Sequence, residues 1–172
     1  QLEIVKIIYY KNDNNFIIKL LPKDKEHEII LFKTDKSFNS IAKMTCEIEK
    51  MTEIGNIEKK NEKISWKYYY NEEDIVIIPK FNFNIETNYK SLEGNKFNSN
   101  KQNFEIERAW QRTAFILDES GAEIESEAEI AVACEAIEEE YEKPKPKKMI
   151  FDKSFLILLK RTDTKNPYFG LW

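Results

Sequence analysis

The sequence predicts an α+β fold in which strands dominate and one helix is clear. Several short runs are rich in β-branched and aromatic residues and are bounded by turn-forming residues, as is typical of strands. One other segment repeats its apolar residues at spacings of three and four, as an amphipathic helix does. The 172 residues are enough for a single domain with a sizeable core.

The composition is that of a globular protein. Hydrophobic residues make up 41% of the chain and charged residues 34%, which excludes a disordered chain. No apolar run reaches the roughly 18–20 residues that a membrane helix needs. The net charge of −4, with Lys dispersed among Glu, argues against binding to nucleic acid. We therefore expect neither a membrane nor a nucleic acid as a partner.

A β-hairpin is predicted at the start of the chain. Residues 2–10 and 16–21 are β-rich, and the Asn- and Asp-rich residues 12–15 between them have a turn composition. Pro22 ends the second run, and residues 28–33 add a short strand.

The helix is predicted over residues 37–54. Its apolar face consists of Phe38, Ile41, Met44, Ile48 and Met51. Ser37 is a candidate N-cap and Gly55 a candidate stop. We interpret the methionines as core residues. Residues 56–63 are polar and are expected to form a loop.

Further strands are expected in the rest of the chain. Residues 66–70 and 75–79 are predicted to form a strand pair that continues through Phe81, Phe83 and Ile85. We interpret the aromatic run at 66–70 as a packed sheet surface rather than a base-stacking platform, because no basic face surrounds it. Residues 88–103 are expected to be irregular. The last strands are predicted at residues 105–118, at residues 149–159 and from residue 168.

The segment at residues 119–148 is far longer than an ordinary connection. Residues 119–142 contain ten Glu and no Lys or Arg, and a stretch with four Lys and two Pro follows. This composition is typical of a solvated tether. Small or apolar residues, however, occupy alternate positions: Ala122, Ile124, Ser126, Ala128, Ile130, Val132 and Cys134. That period predicts a half-buried strand, and Gly121 before it provides a flexible hinge.

Several motifs resemble the serpin family. Residues 118–123 resemble the serpin hinge, and residues 149–159 resemble the family's C-terminal signature. Residues 165–170 look like its closing strand, one residue short before the Gly. Residues 78–81 and 16–22 resemble two further strands of the family. The resemblance spans nearly the whole chain and implies one part of a single serpin domain over residues 1–172, its C-terminal half.

The resemblance also implies that the family's N-terminal half is absent from this chain. Because the first residue is Gln1, we expect a fragment whose fold an N-terminal serpin segment completes. No cofactor is implied. We expect a secreted rather than a cytoplasmic protein, although the two cysteines and the lack of an N-glycosylation motif do not fix the compartment.

As a function, the resemblance implies suicide inhibition of a serine protease or, alternatively, a cysteine protease. The protease would cleave the reactive-centre loop, roughly residues 119–148, whose hinge side would then insert as a strand into the large sheet. The implied hinge residues are Glu119, Gly121, Ala122, Ile124, Ser126 and Ala128. Ile124 is bulkier than is usual in the family. A non-inhibitory serpin that binds or carries a ligand therefore stays open as an alternative.

The resemblance also suggests individual site residues. Counting from the hinge places the reactive bond at Glu135–Ala136, and cleavage after Ala133 or Cys134 is the alternative. Lys80 and Glu119 are expected to form an ion pair at the top of the large sheet.

Gln111 stands where the family generally has a His, and it can replace that His because an amide both donates and accepts hydrogen bonds.

Two remaining readings are an unrelated binding protein and an enzyme. An unrelated α+β binding domain with an acidic loop is a third reading. Enzymatic activity is not expected. The lone histidine, His27, lies in a charged stretch and is predicted at the surface, and no ligand cluster indicates a metal site.

Overall fold

The computed structural model describes residues 5–117 and 145–172. The chain divides into two compact units. Unit 1 comprises Gln1–Pro79 and Ser120–Trp172, and unit 2 comprises Lys80–Glu119. The described part is rich in strands and contains one α-helix, in agreement with the predicted fold class.

Unit 1 is built on a five-stranded sheet in which all neighbouring strands are antiparallel. The strands are β1 (Val5–Asn12), β2 (Asn15–Leu20), β3 (His27–Lys33), β10 (Phe155–Arg161) and β11 (Phe169–Leu171). Their order in the sheet is β1-β2-β3-β10-β11. The predicted N-terminal hairpin and the strand after it are confirmed. The pairing of β10 with β3 joins the two ends of the chain in one sheet.

One helix, α1 (Ile41–Glu58), covers one face of this sheet. The core between them consists of Ile17, Phe32, Met44, Ile48, Met51, Leu156 and Leu158. The predicted apolar face is therefore confirmed, and the methionines are core residues. The predicted helix ends were wrong. The N-cap is Ser40, whose hydroxyl accepts a hydrogen bond from the Lys43 amide, and the helix continues three residues beyond Gly55.

Gly55 does not stop the helix because it serves close packing. A Cβ at this position would lie 2.2 Å from the Ile8 carbonyl oxygen and 3.2 Å from the Tyr68 ring. The absence of a side chain thus lets α1 approach β1 closely. Extension of the helix through residue 58 also replaces the first part of the loop that was predicted at 56–63.

The aromatic run after the helix is not a strand, contrary to the prediction. Residues Ser65–Tyr68 form a 3-10 turn. Tyr68 is buried, and its hydroxyl donates a 2.6 Å hydrogen bond to Glu58 at the end of α1. Packing against the helix therefore replaces strand pairing in this segment.

A parallel strand pair completes unit 1. It consists of β4 (Ile75–Ile77) and β9 (Lys148–Ile150). The apolar run at 149–159, predicted as one strand, is two strands separated by residues 151–154. At the break, the buried ammonium of Lys33 donates hydrogen bonds to the Ile150 carbonyl at 2.6 Å and to the Asp152 carboxylate at 2.7 Å.

Unit 2 contains two antiparallel strand pairs. The longer pair joins β5 (Phe81–Asn88) to β8 (Trp110–Leu117), and the shorter joins β6 (Lys96–Ser99) to β7 (Gln102–Glu105). The prediction that residues 88–103 are irregular is confirmed for residues 89–95 but was wrong for the strands from residue 96 onward. The β6–β7 turn places Asn100 and Lys101 at φ of 50° and 65°, a left-handed conformation that two-residue hairpin turns require. The polar sequence concealed this hairpin because all eight strand residues are exposed.

Candidate functional site

Most of the predicted site residues lie outside the described part of the chain. This holds for Glu119, Gly121, Ala122, Ile124, Ser126, Ala128, Ala133, Cys134, Glu135 and Ala136. Lys80 is described and directly precedes β5. The predicted ion pair between Lys80 and Glu119 therefore stays a prediction. The structure does describe both flanks of this segment, residues up to 117 and from 145 onward.

The proximal flank is β8, which ends at Leu117. Leu117 pairs with Phe81, the residue after Lys80, so the register brings Lys80 beside the end of β8. One face of the β5–β8 pair is apolar at this end and carries Phe81, Phe83 and Phe115. The rings of Phe83 and Phe115 lie with their centroids 5.8 Å apart. The strand that leads into the predicted hinge is thus regular up to its last described residue.

Gln111 lies on the same strand pair. Its amide oxygen accepts a 2.9 Å hydrogen bond from the Tyr89 hydroxyl, and its amide nitrogen donates to Thr113 at 3.4 Å. The side chain therefore donates and accepts at once, as expected from its chemistry. Tyr89 is exposed and Thr113 is half-buried.

The distal flank, at residues 145–148, includes a buried residue, which a fully solvated tether would not have. Lys147 has no exposed side-chain surface, and its ammonium lies 2.6 Å from Asp74, whose side chain is also fully buried. The ammonium further contacts the Trp66 carbonyl at 3.5 Å and lies 5.6 Å from the centre of the Trp66 ring. A buried lysine needs such partners because an unpaired buried charge is very costly.

The backbone of the distal flank is also fixed by carboxylates. The Lys147 amide donates to Asp74 at 2.7 Å, and the Lys148 amide donates to Asp13 at 2.9 Å. Asp74 also accepts the Asn71 amide at 2.9 Å. Burial raises the pKa of Tyr70, and the nearby Asp74 carboxylate raises the pKa further. Sequence reasoning missed this cluster; its one signal was an acid, Asp74, directly before an apolar run.

Other predicted features are placed at the surface. His27 is partly exposed, with Nδ1 3.0 Å from the Tyr168 hydroxyl and Nε2 3.6 Å from Asp24. Cys46 is a free, exposed thiol. Among the described residues, no group of three or more His, Cys, Asp or Glu could hold a metal ion. No helix in the described ranges has the length and apolarity to cross a membrane.

Comparison with solved structures gives a structural likeness. No family model matches the chain, and no curated protein matches it. A solved structure of Serpin48, described as a highly specific serpin in the insect Tenebrio molitor, aligns at a TM-score of 0.41 and 16% identity. The alignment covers 91% of this chain and 40% of that structure, so the chain spans less than half its length. A likeness at this level assigns no family, and a functional proposal has to come from the residues of the chain itself.

Proposed function

We propose that this chain is part of a secreted serpin-type inhibitor that traps a target protease and is not itself an enzyme. The observation that carries the proposal is the alternation of small or apolar residues from Ala122 to Cys134, directly after Gly121. A tether that only has to remain in water gains nothing from this period, whereas a strand that enters a sheet requires it. The motif resemblance at residues 118–123 and 149–159 supports the same function.

The described flanks are compatible with this mechanism. The proximal flank is β8 in unit 2, and the distal flank is held by β9 and Asp74 in unit 1. Cleavage between them would leave the hinge side attached to β8 and the other side attached to β9. A protease joined to the hinge side as an acyl-enzyme would then move with it.

The free energy released by insertion of the loop is large enough to distort a bound protease. About a dozen new backbone hydrogen bonds at ~1 kcal/mol each stabilise the inserted form by on the order of 10 kcal/mol. Burial of Ile130 and Val132 adds roughly 1.5–3 kcal/mol for each side chain. The total is comparable to the stability of a whole domain, about 5–15 kcal/mol. The proposal assigns the remaining strands of the large sheet to an N-terminal segment outside this chain.

Within this proposal the reactive bond is Glu135–Ala136, with cleavage after Ala133 or Cys134 as the alternative. Glu135 suits a protease with a basic specificity pocket, and the alternatives suit one that prefers small side chains. Lys80 and Glu119 pair at the entry point of the strand. The bulky Ile124 favours the second candidate function, a non-inhibitory serpin whose loop stays outside the sheet, because overpacking costs about 1–3 kcal/mol.

The test compares two arginine variants in the protein that carries this chain, incubated with elastase-like and glutamate-specific proteases. Ala128 belongs to the alternating set that would enter the sheet, and Ala131 belongs to the set that would face water. We expect an SDS-stable protease complex for the unmodified protein and for Ala131→Arg. We expect cleavage without a complex for Ala128→Arg, because a buried Arg blocks insertion.

Mass spectrometry of the cleaved loop locates the bond, and thermal denaturation reports whether cleavage stabilises the protein. Cleavage of the unmodified protein without a complex and without a gain in thermal stability would contradict inhibition and favour the non-inhibitory function. Equal behaviour of the two Arg variants would show that the alternation does not mark an inserting strand.

A further inference from the structure

The pair formed by Asp74 and Lys147 is the most deeply buried charge pair in the described part of unit 1. Both side chains are fully excluded from solvent, and their charged atoms are 2.6 Å apart. Other described lysine–carboxylate pairs keep at least one partner partly exposed; Asp152, for example, is 58% exposed beside the buried Lys33. The cost of burying two charges means that this contact exists only while both partners stay in place.

The same carboxylate also controls the backbone at the start of β9. One oxygen of Asp74 accepts the Lys147 amide, and the other accepts the Lys147 ammonium. The Lys147 carbonyl accepts the Ile75 amide at 2.9 Å, so the residue after Asp74 completes a closed ring of bonds. Both the main chain and the side chain of Lys147 are therefore held by two consecutive residues.

The surroundings of the pair leave no access for solvent or for a protease. Trp66 covers the ammonium with its ring and its carbonyl. The Tyr70 hydroxyl donates to the Asp74 carbonyl at 2.5 Å, and the Asn71 amide donates to its carboxylate. Lys148 follows with its amide on Asp13. A protease has to draw several extended residues into its cleft, and it cannot do so while these bonds persist.

We propose that Asp74 and Lys147 form a latch that fixes the backbone at the start of β9 to the residues at the start of β4. The latch closes the peptide bonds after Lys147 and Lys148 to proteases that cleave after basic residues. Lys143 and Lys145 each precede a proline, which makes them poor sites for the same proteases. The latch thus denies trypsin-like enzymes the basic end of an otherwise acidic segment. This inference does not depend on the proposed inhibitory function.

The test is limited proteolysis of the full chain with trypsin, read bond by bond by mass spectrometry. Lys101, at the exposed β6–β7 turn, is the internal reference for an open site. We expect the bonds after Lys147 and Lys148 to be cut at least about tenfold more slowly than the bond after Lys101, since cleavage of a closed site requires local opening. In Asp74→Asn we expect the rate of cleavage after Lys147 and after Lys148 to rise more than about tenfold, because Lys147 is left as an unpaired buried charge.

Glu73→Gln is the matched control, since it changes a neighbouring exposed acid in the same way. It should leave the cleavage pattern unchanged. Lys147→Met is the second variant, read at the bond after Lys148, and it should also accelerate cleavage because it leaves Asp74 unpaired. Hydrogen exchange of β10 amides separates local from global opening. Equal acceleration at all lysines with loss of β10 protection, or rapid cleavage after Lys147 in the unmodified chain, would overturn the proposal.

Discussion

The two units use similar residues in opposite ways. In unit 1, aromatic and aliphatic side chains of the sheet are enclosed, and Phe16, Phe32 and Leu156 have no exposed surface. In unit 2, the large apolar side chains remain largely in solvent, with Ile85 at 55% and Ile116 at 64% exposure. Among the described residues of unit 2, Phe115 is the one buried hydrophobic side chain.

The difference follows from the number of elements that pack together. Unit 1 combines a five-stranded sheet, a helix and a parallel strand pair, so both faces of its central strands can be covered. The described sheets of unit 2 have two strands each. Two-stranded hairpins are marginally stable in water because they have no second layer to bury their apolar residues. In both units, strand-forming residues therefore favour the pairing of strands. The burial of their apolar side chains depends on a second layer that covers the sheet.

The largest expected effect contrasts Phe32 in unit 1 with Phe104 in unit 2. Phe32→Ala should lower the free energy of unfolding by about 3–5 kcal/mol, because it opens a cavity between α1 and the sheet. Phe104→Ala should cost no more than about 1.5 kcal/mol, since it removes an exposed ring that stacks on Phe97.

Chemical denaturation of the two variants measures these losses. A loss at Phe104 equal to that at Phe32 would break the comparison, because it would mean that a layer covers unit 2 in solution. Such a result would also identify the β6–β7 pair as the covered surface.

A smaller effect separates Gly55 in unit 1 from Gly94 in unit 2. Gly55→Ala should destabilise unit 1 by about 1–3 kcal/mol, because the new Cβ meets the Ile8 carbonyl oxygen. This loss should exceed the roughly 1 kcal/mol that Ala gains over Gly in a helix. Gly94→Ala meets no atom within 4 Å and is strained only by its φ of +80°, at a cost of about 1–2 kcal/mol.

Substitution by asparagine distinguishes steric contact at position 55 from backbone strain at position 94, because Asn tolerates the left-handed region. Gly94→Asn should recover most of the stability that Gly94→Ala loses, whereas Gly55→Asn should be at least as unstable as Gly55→Ala. Thermal denaturation of the four variants checks this. Recovery at position 55 would show that backbone conformation, and not contact with β1, requires that glycine.

The smallest effect concerns the buried tyrosines of unit 1. Burial and a hydrogen bond to Glu58 raise the pKa of Tyr68 above its ordinary value of 10.0, and burial with a bond to Asp13 raises the pKa of Tyr10. Because the folded pKa values are raised, the stabilisation is fully present below pH 10 and is lost as the pH rises toward the folded values. The free energy of unfolding should therefore fall over this range, in step with tyrosinate absorbance.

Tyr68→Phe should reduce this pH dependence and lower stability near neutral pH by about 0.5–1.5 kcal/mol through loss of the hydrogen bond. Tyr69→Phe changes an exposed neighbour and should do neither. If Tyr68→Phe left the alkaline slope intact, the raised pKa of Tyr68 would not be the source of the loss of stability at high pH.

The candidate site shows how far sequence reasoning reached. The alternation after Gly121 and the motif resemblance rest on local order along the chain, so the sequence displays them directly. The latch was missed because Asp74 and Lys147 are 73 positions apart and each lies in a polar stretch. In a sequence, a buried lysine looks the same as a solvated one until its partner is known.

The sequence by itself determined several of the strands and the apolar face of the helix, because the period of apolar residues and the turn chemistry are local properties. It predicted the N-terminal hairpin, the face of α1 and the strand-rich class. Only the tertiary structure decided that Gly55 continues the helix, that residues 65–68 pack as a 3-10 turn and that Lys147 is buried. Each of these outcomes depends on an atom from a distant segment: the Ile8 carbonyl, the Glu58 carboxylate and the Asp74 carboxylate. Contacts of this kind depend on how the elements pack, which local periodicity does not encode.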